Sequence, residues 1–243
     1  MNAIQVLRKT IEFYRELGFE YLPLKSSALR NLAIGQTSES IPASVNPHQQ
    51  VSEDTCSYQL NKEAVLDDLR NEIGDCRRCK LYKGRKNIVF GEGDPEADIM
   101  FIGEGPGRDE DLQARPFVGD AGKLLNNLIL KLGLRRQDVY IANIVKCRPP
   151  NNRNPEEDEI SICSPFVERQ IAVIDPKVIV CLGKISAQVI LRSKNAISKL
   201  RGNFFSYKHI PVMPTFHPAY LLRNPKDKWL TWEDMQKVLE KIK

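Results

Sequence analysis

The chain has 243 residues, of which 42% are hydrophobic and 28% charged, and its formal net charge of +5 leans only mildly towards a polyanionic partner. It is long enough to bury one sizeable core, and no run approaches the ~20 consecutive apolar residues that a membrane-spanning helix needs. The first residues carry charges throughout, unlike the apolar stretch of a secretory signal, so we expect a cytoplasmic protein without a membrane partner.

The beginning of the chain is predicted to form a helix and then a linker. Within residues 1–25, apolar side chains recur at three- and four-residue spacing, which places them on one face of a helix of unknown role. Residues 26–60 are rich in Ser, Gln, Asn, Pro and Thr and carry too little apolar surface to order themselves. We therefore predict a flexible, disordered linker there and one folded domain over residues 61–243.

Four apolar runs in this domain have the character of buried strands. Helical patterns follow each of them, and a further one, KEAVLDDLRNEI, precedes them. Continuous apolar strands that alternate with helices indicate parallel pairing with both faces covered. The sequence predicts a three-layer α/β/α sandwich around a four-stranded, mainly parallel sheet. The predicted strands are ADIMFIG at 97–103, VYIANIV at 139–145, VIVCLG at 178–183 and IPVMPTF at 210–216.

Polar residues stand at three of the four strand ends, where open α/β sheets bind their ligands. GEGPG follows the first run and places Glu104 at the mouth of the sheet. Asn143 lies inside the second run, before a rigid basic loop suited to phosphates, and a buried asparagine needs partners that a ligand edge can supply. His217 closes the fourth run. Each also has a structural interpretation, as a glycine-rich turn, a capping asparagine and a lone histidine without a function. The third end, 182–184, is read as an ordinary turn.

The cysteines suggest a metal site. Cys76-x-x-Cys79 has the spacing of metal ligands, and Cys147 and Cys163 lie further along the chain. Four thiolates with one close pair and two distant members can hold either zinc or a [4Fe-4S] cluster, and the spacing does not choose between them. Four unrelated buried cysteines are the alternative. The remaining cysteines are assigned to a strand core and to the linker: Cys181 and Cys56.

Five motifs, in order, resemble those of the family 4 uracil-DNA glycosylases, which are of the iron-sulfur type. They are GEGPG, ED, RPFVG, N-x-x-K-C-R-P-P-x-N-R-x-P and HPAYLLR, between about Asp75 and Leu222. The resemblance implies that residues 61–243 form a catalytic domain that flips uracil out of DNA and hydrolyses its N-glycosidic bond, which releases uracil and leaves an abasic site. It also implies no nucleotide cofactor and a structural [4Fe-4S] cluster. The implied ligands are Cys76, Cys79, Cys147 and Cys163.

The resemblance also implies roles for the strand-end residues. Phe117 would stack on the flipped base, and Asn143 would pair with N3–H and O4 of uracil, rejecting cytosine. His217 would face O2, where negative charge accumulates as the base leaves. Glu104 would stabilise an oxocarbenium-like sugar and orient the attacking water.

Further contacts with base and DNA follow from the same resemblance. Backbone N–H groups of the turn at Gly103 and Gly105 would help to hold the base. The basic loop after the second run and the wedge region after the fourth would contact the DNA strand. These DNA-binding residues are Arg148, Pro149, Pro150, Arg153, Leu221, Leu222 and Arg223.

Two positions depart from the family pattern. Ala114 stands where glycine is common, and Asp120 where a basic residue is common. No histidine-bearing loop is inserted between Asp111 and Phe117, which argues against the relatives that stay covalently attached to DNA.

Two other functions stay open at this point. A non-catalytic nucleic-acid-binding module with a metal-stapled fold would scatter Glu104, Asn143 and His217 over its surface. A superfamily relative could prefer another deaminated base, such as hypoxanthine or xanthine. We expect a monomer whose partner is uracil-containing DNA.

Overall fold

The computed structural model describes residues 61–243. The helix predicted within residues 1–25 and the linker predicted over residues 26–60 lie outside this described part. In the described part, no helix is both long and apolar enough to cross a bilayer.

A mixed sheet of six strands forms the centre of the fold, in the order β1-β3-β2-β4-β6-β5. The four central strands pair in parallel, and the two edge strands pair antiparallel with their neighbours. The strands are β1 (Glu92–Gly93), β2 (Ile99–Gly103), β3 (Tyr140–Asn143), β4 (Val178–Leu182), β5 (Phe205–Tyr207) and β6 (Ile210–Thr215).

Helices cover both faces of the sheet. Four short 3-10 helices lie in the connections, at Lys80–Lys83, Arg136–Asp138, Pro150–Asn152 and Pro225–Asp227. The α-helices are α1 (Lys62–Ile73), α2 (Arg108–Gln113), α3 (Asp120–Lys131), α4 (Glu157–Ile174), α5 (Lys184–Leu191), α6 (Ile197–Leu200), α7 (Pro218–Arg223) and α8 (Lys228–Ile242).

The layers explain why the central strands read as unbroken apolar runs. All five residues of β2 and all five of β4 are buried. On one face, Met100 and Ile102 pack in a cluster with residues of α1, α4 and α5. Their neighbours along the strand point to the opposite face, where α8 contacts β4 and β6. The predicted three-layer α/β/α sandwich is confirmed.

Four strands were predicted, whereas the sheet has six, and the two missing from the prediction are the edge strands. The four apolar runs became the four central strands, whereas β1 has two residues and β5 has two exposed residues among three. An edge strand with one solvated face needs no continuous apolar run, and its pairing is set by its neighbour. Neither β1 nor β5 therefore carries a recognisable signal of its own.

The register of the sheet brings the predicted site residues to one edge. Gly103 at the end of β2 lies opposite Asn143 at the end of β3. Leu182 at the end of β4 lies opposite Thr215 at the end of β6, two residues before His217. The parallel strands thus deliver all these positions to the same carboxyl-terminal edge.

Candidate active site

A cavity of about 590 Å³ opens at this edge of the sheet. Its volume lies within the ~300–1,000 Å³ that is typical of small-molecule sites. Glu104, Phe117, Asn143 and His217, the four residues predicted to surround a base, all line it. The structure therefore does not fit the non-catalytic module, in which these side chains would be scattered.

Asn143 presents an unpaired acceptor in this cavity. The residue is 2% exposed, and its Oδ1 is the one buried side-chain nitrogen or oxygen within residues 61–243 that has no hydrogen-bond partner. An unpaired buried acceptor costs about 1–3 kcal/mol. Such a cost is recovered when a ligand brings an N–H donor to the oxygen, so this atom marks a binding position.

Gly103 allows Asn143 and Phe117 to approach each other. A Cβ at position 103 would lie 2.4 Å from Asn143 Oδ1 and 2.6 Å from the Phe117 ring. No side chain fits there without moving one of them. Close packing behind the cavity thus requires the first glycine of the GEGPG motif. The sequence predicted only that its backbone N–H would help to hold the base.

The aromatic wall of the cavity consists of Phe117 and His217. Phe117 is 5% exposed, and its ring centroid lies 5.6 Å from that of His217 with the planes tilted by 32°. A flat base that enters the cavity can stack on the phenyl ring, since every base offers a π-face.

His217 is held as a neutral imidazole. It precedes α7 as its N-cap, and its Nδ1 accepts a hydrogen bond of 3.1 Å from the N–H of Ala219. Burial, with the charge of Arg223 as a second cause, lowers the pKa of His217 to about 4. With Nδ1 used as an acceptor, the proton lies on Nε2, which can donate to a ligand.

Gly183 supports His217 from behind. Its φ is +96°, and a Cβ there would lie 2.9 Å from His217 Cβ. In the sequence this third strand end has the pattern of an ordinary turn. The glycine was missed because its importance depends on a neighbour 34 positions along the chain.

Glu104 faces the cavity without a partner. Its side chain makes no hydrogen bond or ion pair within the described part of the chain, and burial raises the pKa of its carboxyl. Its backbone is fixed, since its carbonyl accepts the N–H of Val145. Glu104 is a positioned carboxylate that is free to act on a ligand.

The predicted wedge region divides into a core residue and two surface residues. Leu221 is 4% exposed and belongs to the core, whereas Leu222 is 44% exposed and Arg223 is exposed beside the cavity. Residues of α7 alternate between core and solvent because a helix presents neighbours to different faces. Leu222 and Arg223 are therefore the members of this set that can contact DNA in this conformation.

The basic loop is partly bound to the protein itself. Pro149 and Arg153 line the cavity and Pro150 is exposed. Arg153, however, forms a bidentate ion pair of 2.7 and 2.8 Å with the buried Glu159. Arg148 donates a hydrogen bond to the side chain of Asn152. Arg153 holds the loop on α4 more than it offers a free charge to a phosphate.

The four cysteines predicted as ligands line one small pocket beneath the loop. Three sulfur atoms accept hydrogen bonds, from Arg78 to Cys76 at 3.2 Å, from Arg85 to Cys147 at 3.5 Å, and from the N–H of Lys146 to Cys163 at 3.3 Å. Among residues 61–243, no three Cys, His, Asp or Glu side chains converge closely enough to hold a single metal ion. The pocket is lined by Cys76, Cys79, Cys147 and Cys163, with Ile73, Ile88, Ile162 and Phe166 as apolar walls.

A buried lysine connects the cysteine pocket to Asn143. Lys146 is 2% exposed, and its Nζ donates to the carbonyl of Asn143 at 2.9 Å and to Gln170 at 2.6 Å. Gln170 donates in turn to Tyr140 and to the carbonyl of Phe90. The end of β3, which carries Asn143, is thereby tied to α4.

Two further charged residues hold the turn that carries Phe117, and neither was predicted from the sequence. Glu110 and Arg136 bind the backbone on either side of Phe117. In the sequence they read as ordinary charges of a helix and a loop, and only Glu110 falls within a motif.

Comparison with known proteins identifies the family. A family model described as "Uracil DNA glycosylase superfamily" matches residues 90–243. A type-4 uracil-DNA glycosylase of Saccharolobus solfataricus is 50% identical over 186 residues, or 73% of this chain and 86% of that protein. A type-4 uracil-DNA glycosylase of Thermotoga maritima is 44% identical over 75% of this chain and 97% of its own length. A type-5 uracil-DNA glycosylase of Pyrobaculum aerophilum is 27% identical over 72% and 91%.

These similarities confirm the family 4 resemblance of the sequence motifs. The type-4 proteins match at higher identity than the type-5 protein over comparable lengths of this chain. The chain belongs to the uracil DNA glycosylase superfamily and, within it, to the type-4 uracil-DNA glycosylases.

Proposed function

We propose that this protein flips uracil out of DNA and hydrolyses its N-glycosidic bond, as a monofunctional enzyme of base excision repair. The observation that carries the proposal is the unpaired Oδ1 of Asn143 in a cavity that also holds an aromatic ring, a neutral imidazole and a free carboxylate. Type-4 uracil-DNA glycosylases at up to 50% identity support the same activity.

Asn143 can select uracil over cytosine by hydrogen-bond chemistry. The N3–H of uracil donates to the unpaired Oδ1, whereas N3 of cytosine is an acceptor and would meet this oxygen with a lone pair. A buried acceptor that faces another acceptor stays unpaired, so cytosine binding loses the hydrogen bond and retains the desolvation cost. Hypoxanthine and xanthine carry the same pairing of a ring N–H beside a carbonyl, so this contact separates uracil from cytosine but does not exclude those two bases.

Glu104 and His217 can then stabilise the two opposite charges that develop as the bond is cleaved. As the bond between base and sugar lengthens, positive charge develops on the deoxyribose and negative charge on uracil O2. The ionised carboxylate of Glu104 stabilises the former and orients the attacking water. The Nε2–H of His217 donates to O2, and a low pKa keeps this imidazole neutral at physiological pH.

The four cysteines fit a [4Fe-4S] cluster. Each ligand of such a cluster binds a different iron, so four thiolates spread round one pocket suit it better than a single zinc, which needs its ligands round one point. Cys76, Cys79, Cys147 and Cys163 would hold it, and its contribution would be structural. It would fix both ends of the basic loop and join them to the segment before β1.

DNA is the partner that this site requires. Leu222 would fill the space left by the extruded nucleotide, and Arg223 would contact a neighbouring phosphate. We further propose that the protein acts as a monomer in the cytoplasm.

The test is release of uracil from oligonucleotides. Wild-type protein should convert a uracil-containing strand into one that alkali cleaves at the uracil position, and the same sequence with cytosine or thymine there should stay intact. Substrates with hypoxanthine and xanthine measure the breadth of base preference. Intact uracil strands, or equal cleavage of the cytosine strand, would overturn the proposed specificity.

A further inference from the structure

The turn that carries Phe117 has an unfavourable backbone conformation. Phe117 has a φ of +50°, in the left-handed region that bulky side chains seldom adopt. Its ring is nevertheless buried and forms a wall of the cavity. Surrounding contacts must therefore hold this turn in place.

Glu110, in α2, binds the N–H groups of the turn. Its Oε1 accepts hydrogen bonds from the N–H of Val118 at 2.9 Å and of Gly119 at 3.0 Å. Its Oε2 accepts another from the N–H of Gly107 at 3.1 Å. The carboxylate therefore joins the turn of Phe117 to the glycine-rich turn after β2.

Arg136 binds the carbonyl groups on the other side. Its Nη2 donates to the carbonyl of Pro116, and its Nη1 to that of Phe117 at 3.2 Å. The guanidinium is itself fixed, since Nη1 also donates to Asn126 at 2.6 Å and Nε to Glu92 at 2.6 Å. A planar fork with five donors suits such a set of acceptors, and a lysine cannot reproduce it.

We propose that Glu110 and Arg136 are positioning residues that hold the Phe117 ring ready for the flipped base. Between them they bind two consecutive carbonyl groups and the two N–H groups that follow, which fixes the backbone of the turn. The inference rests on the proposed function, because the task of the ring is to stack on the base. A ring already in place loses less entropy when the base arrives.

Arg136→Lys tests the proposal with Arg115→Lys as a matched control. Arg115 bonds to the same Glu92 through Nε and Nη2 but holds neither carbonyl of the turn. Both changes keep the charge. We expect the single-turnover rate of uracil release to fall about tenfold for Arg136→Lys, because the ring is misplaced, and less than about twofold for Arg115→Lys. Glu110→Gln should lower the rate likewise, because its amide N–H₂ would face a backbone N–H.

Two further measurements separate positioning from general damage to the fold. Affinity for abasic DNA, which offers no base to stack, should be unchanged in Arg136→Lys. In a Phe117→Ala background, Arg136→Lys should lower the rate by less than about twofold, since its effect acts through the ring. Equal rates for the two lysine variants, or a full tenfold loss without Phe117, would overturn the inference. A wild-type protein without activity would instead overturn the proposed function and this inference with it.

Discussion

Asn143 combines a cost in stability with a proposed use in recognition. Its Oδ1 is buried without a partner, in a strand whose other residues are apolar and buried. Leucine has a similar shape and removes the unpaired acceptor. The side chain is therefore a point at which binding and folding make opposite demands.

Asn143→Leu should abolish recognition without harming the fold. We expect the rate of uracil release to fall at least about a hundredfold, because the N3–H of uracil loses its acceptor. The thermal midpoint should stay the same or rise, because an unpaired buried oxygen is gone. Single-turnover kinetics and thermal unfolding measure the two effects. Retained activity would show that Asn143 does not read the base.

Glu104 should set the acidic limit of activity. Burial raises the pKa of its carboxyl, so the ionised form is lost as pH falls through that raised value. His217 stays neutral down to pH about 4, so its own protonation lowers the rate only below that pH. We expect Glu104→Gln to lower the rate about a hundredfold and to remove this limb of the pH profile. An unchanged limb in the variant would assign it to another group.

At the scale of elements, the connection between β3 and α4 holds the backbone of Asn143 in place. Lys146 donates to the carbonyl of Asn143 and to Gln170 in α4. Lys146→Met would leave both acceptors buried without a donor. We expect the thermal midpoint to fall by about 3–10 °C and uracil release to slow.

Lys177→Met is the control for this change. Lys177 is an exposed lysine that pairs with Asp98 at the surface, so its loss should change the midpoint by little. If Lys146→Met behaved like Lys177→Met in both measurements, the buried connection would have no role in positioning Asn143.

The elements that the sequence predicts well are those whose signal is local. The central strands are buried on both faces and read as apolar runs, and the glycine-rich turn, Asn143 and His217 stand directly after or within them. The edge strands β1 and β5 carry no such run, because a neighbour decides their pairing. The short helices α2, α6 and α7 were also not predicted, since four to six residues hold too few turns to show a periodicity.

Site residues that depend on distant partners stay hidden in the sequence. Arg136 lies 20 positions from the carbonyl of Pro116 that it binds, and Gly183 lies 34 positions from His217. Leu221 and Leu222 look equivalent in the sequence, and only the packing of α7 shows that one is buried. Long-range contacts of this kind have no spacing that a motif can record.

At the scale of the whole molecule, the proposed cluster staples separate parts of the chain. Cys163→Ala should lower both the bound iron and the thermal midpoint, because a ligand is lost from the structural site. Cys181→Ala is the control, since Cys181 is buried in β4 and does not line the cysteine pocket. Iron analysis should give about four atoms per wild-type chain and the same for the control. One zinc and no iron in the wild type would refute the cluster.

The fold of residues 61–243 brings three strand ends and the turn of Phe117 together round one cavity, and the unpaired oxygen of Asn143 marks where we propose that the base lies. A crystal structure of the protein with free uracil tests this most directly, through the distance between Asn143 Oδ1 and N3 of the base. We predict a hydrogen bond of about 2.7–3.2 Å, with the base stacked on Phe117. Uracil bound elsewhere, or bound in the cavity with this oxygen still unpaired, would contradict the proposed recognition.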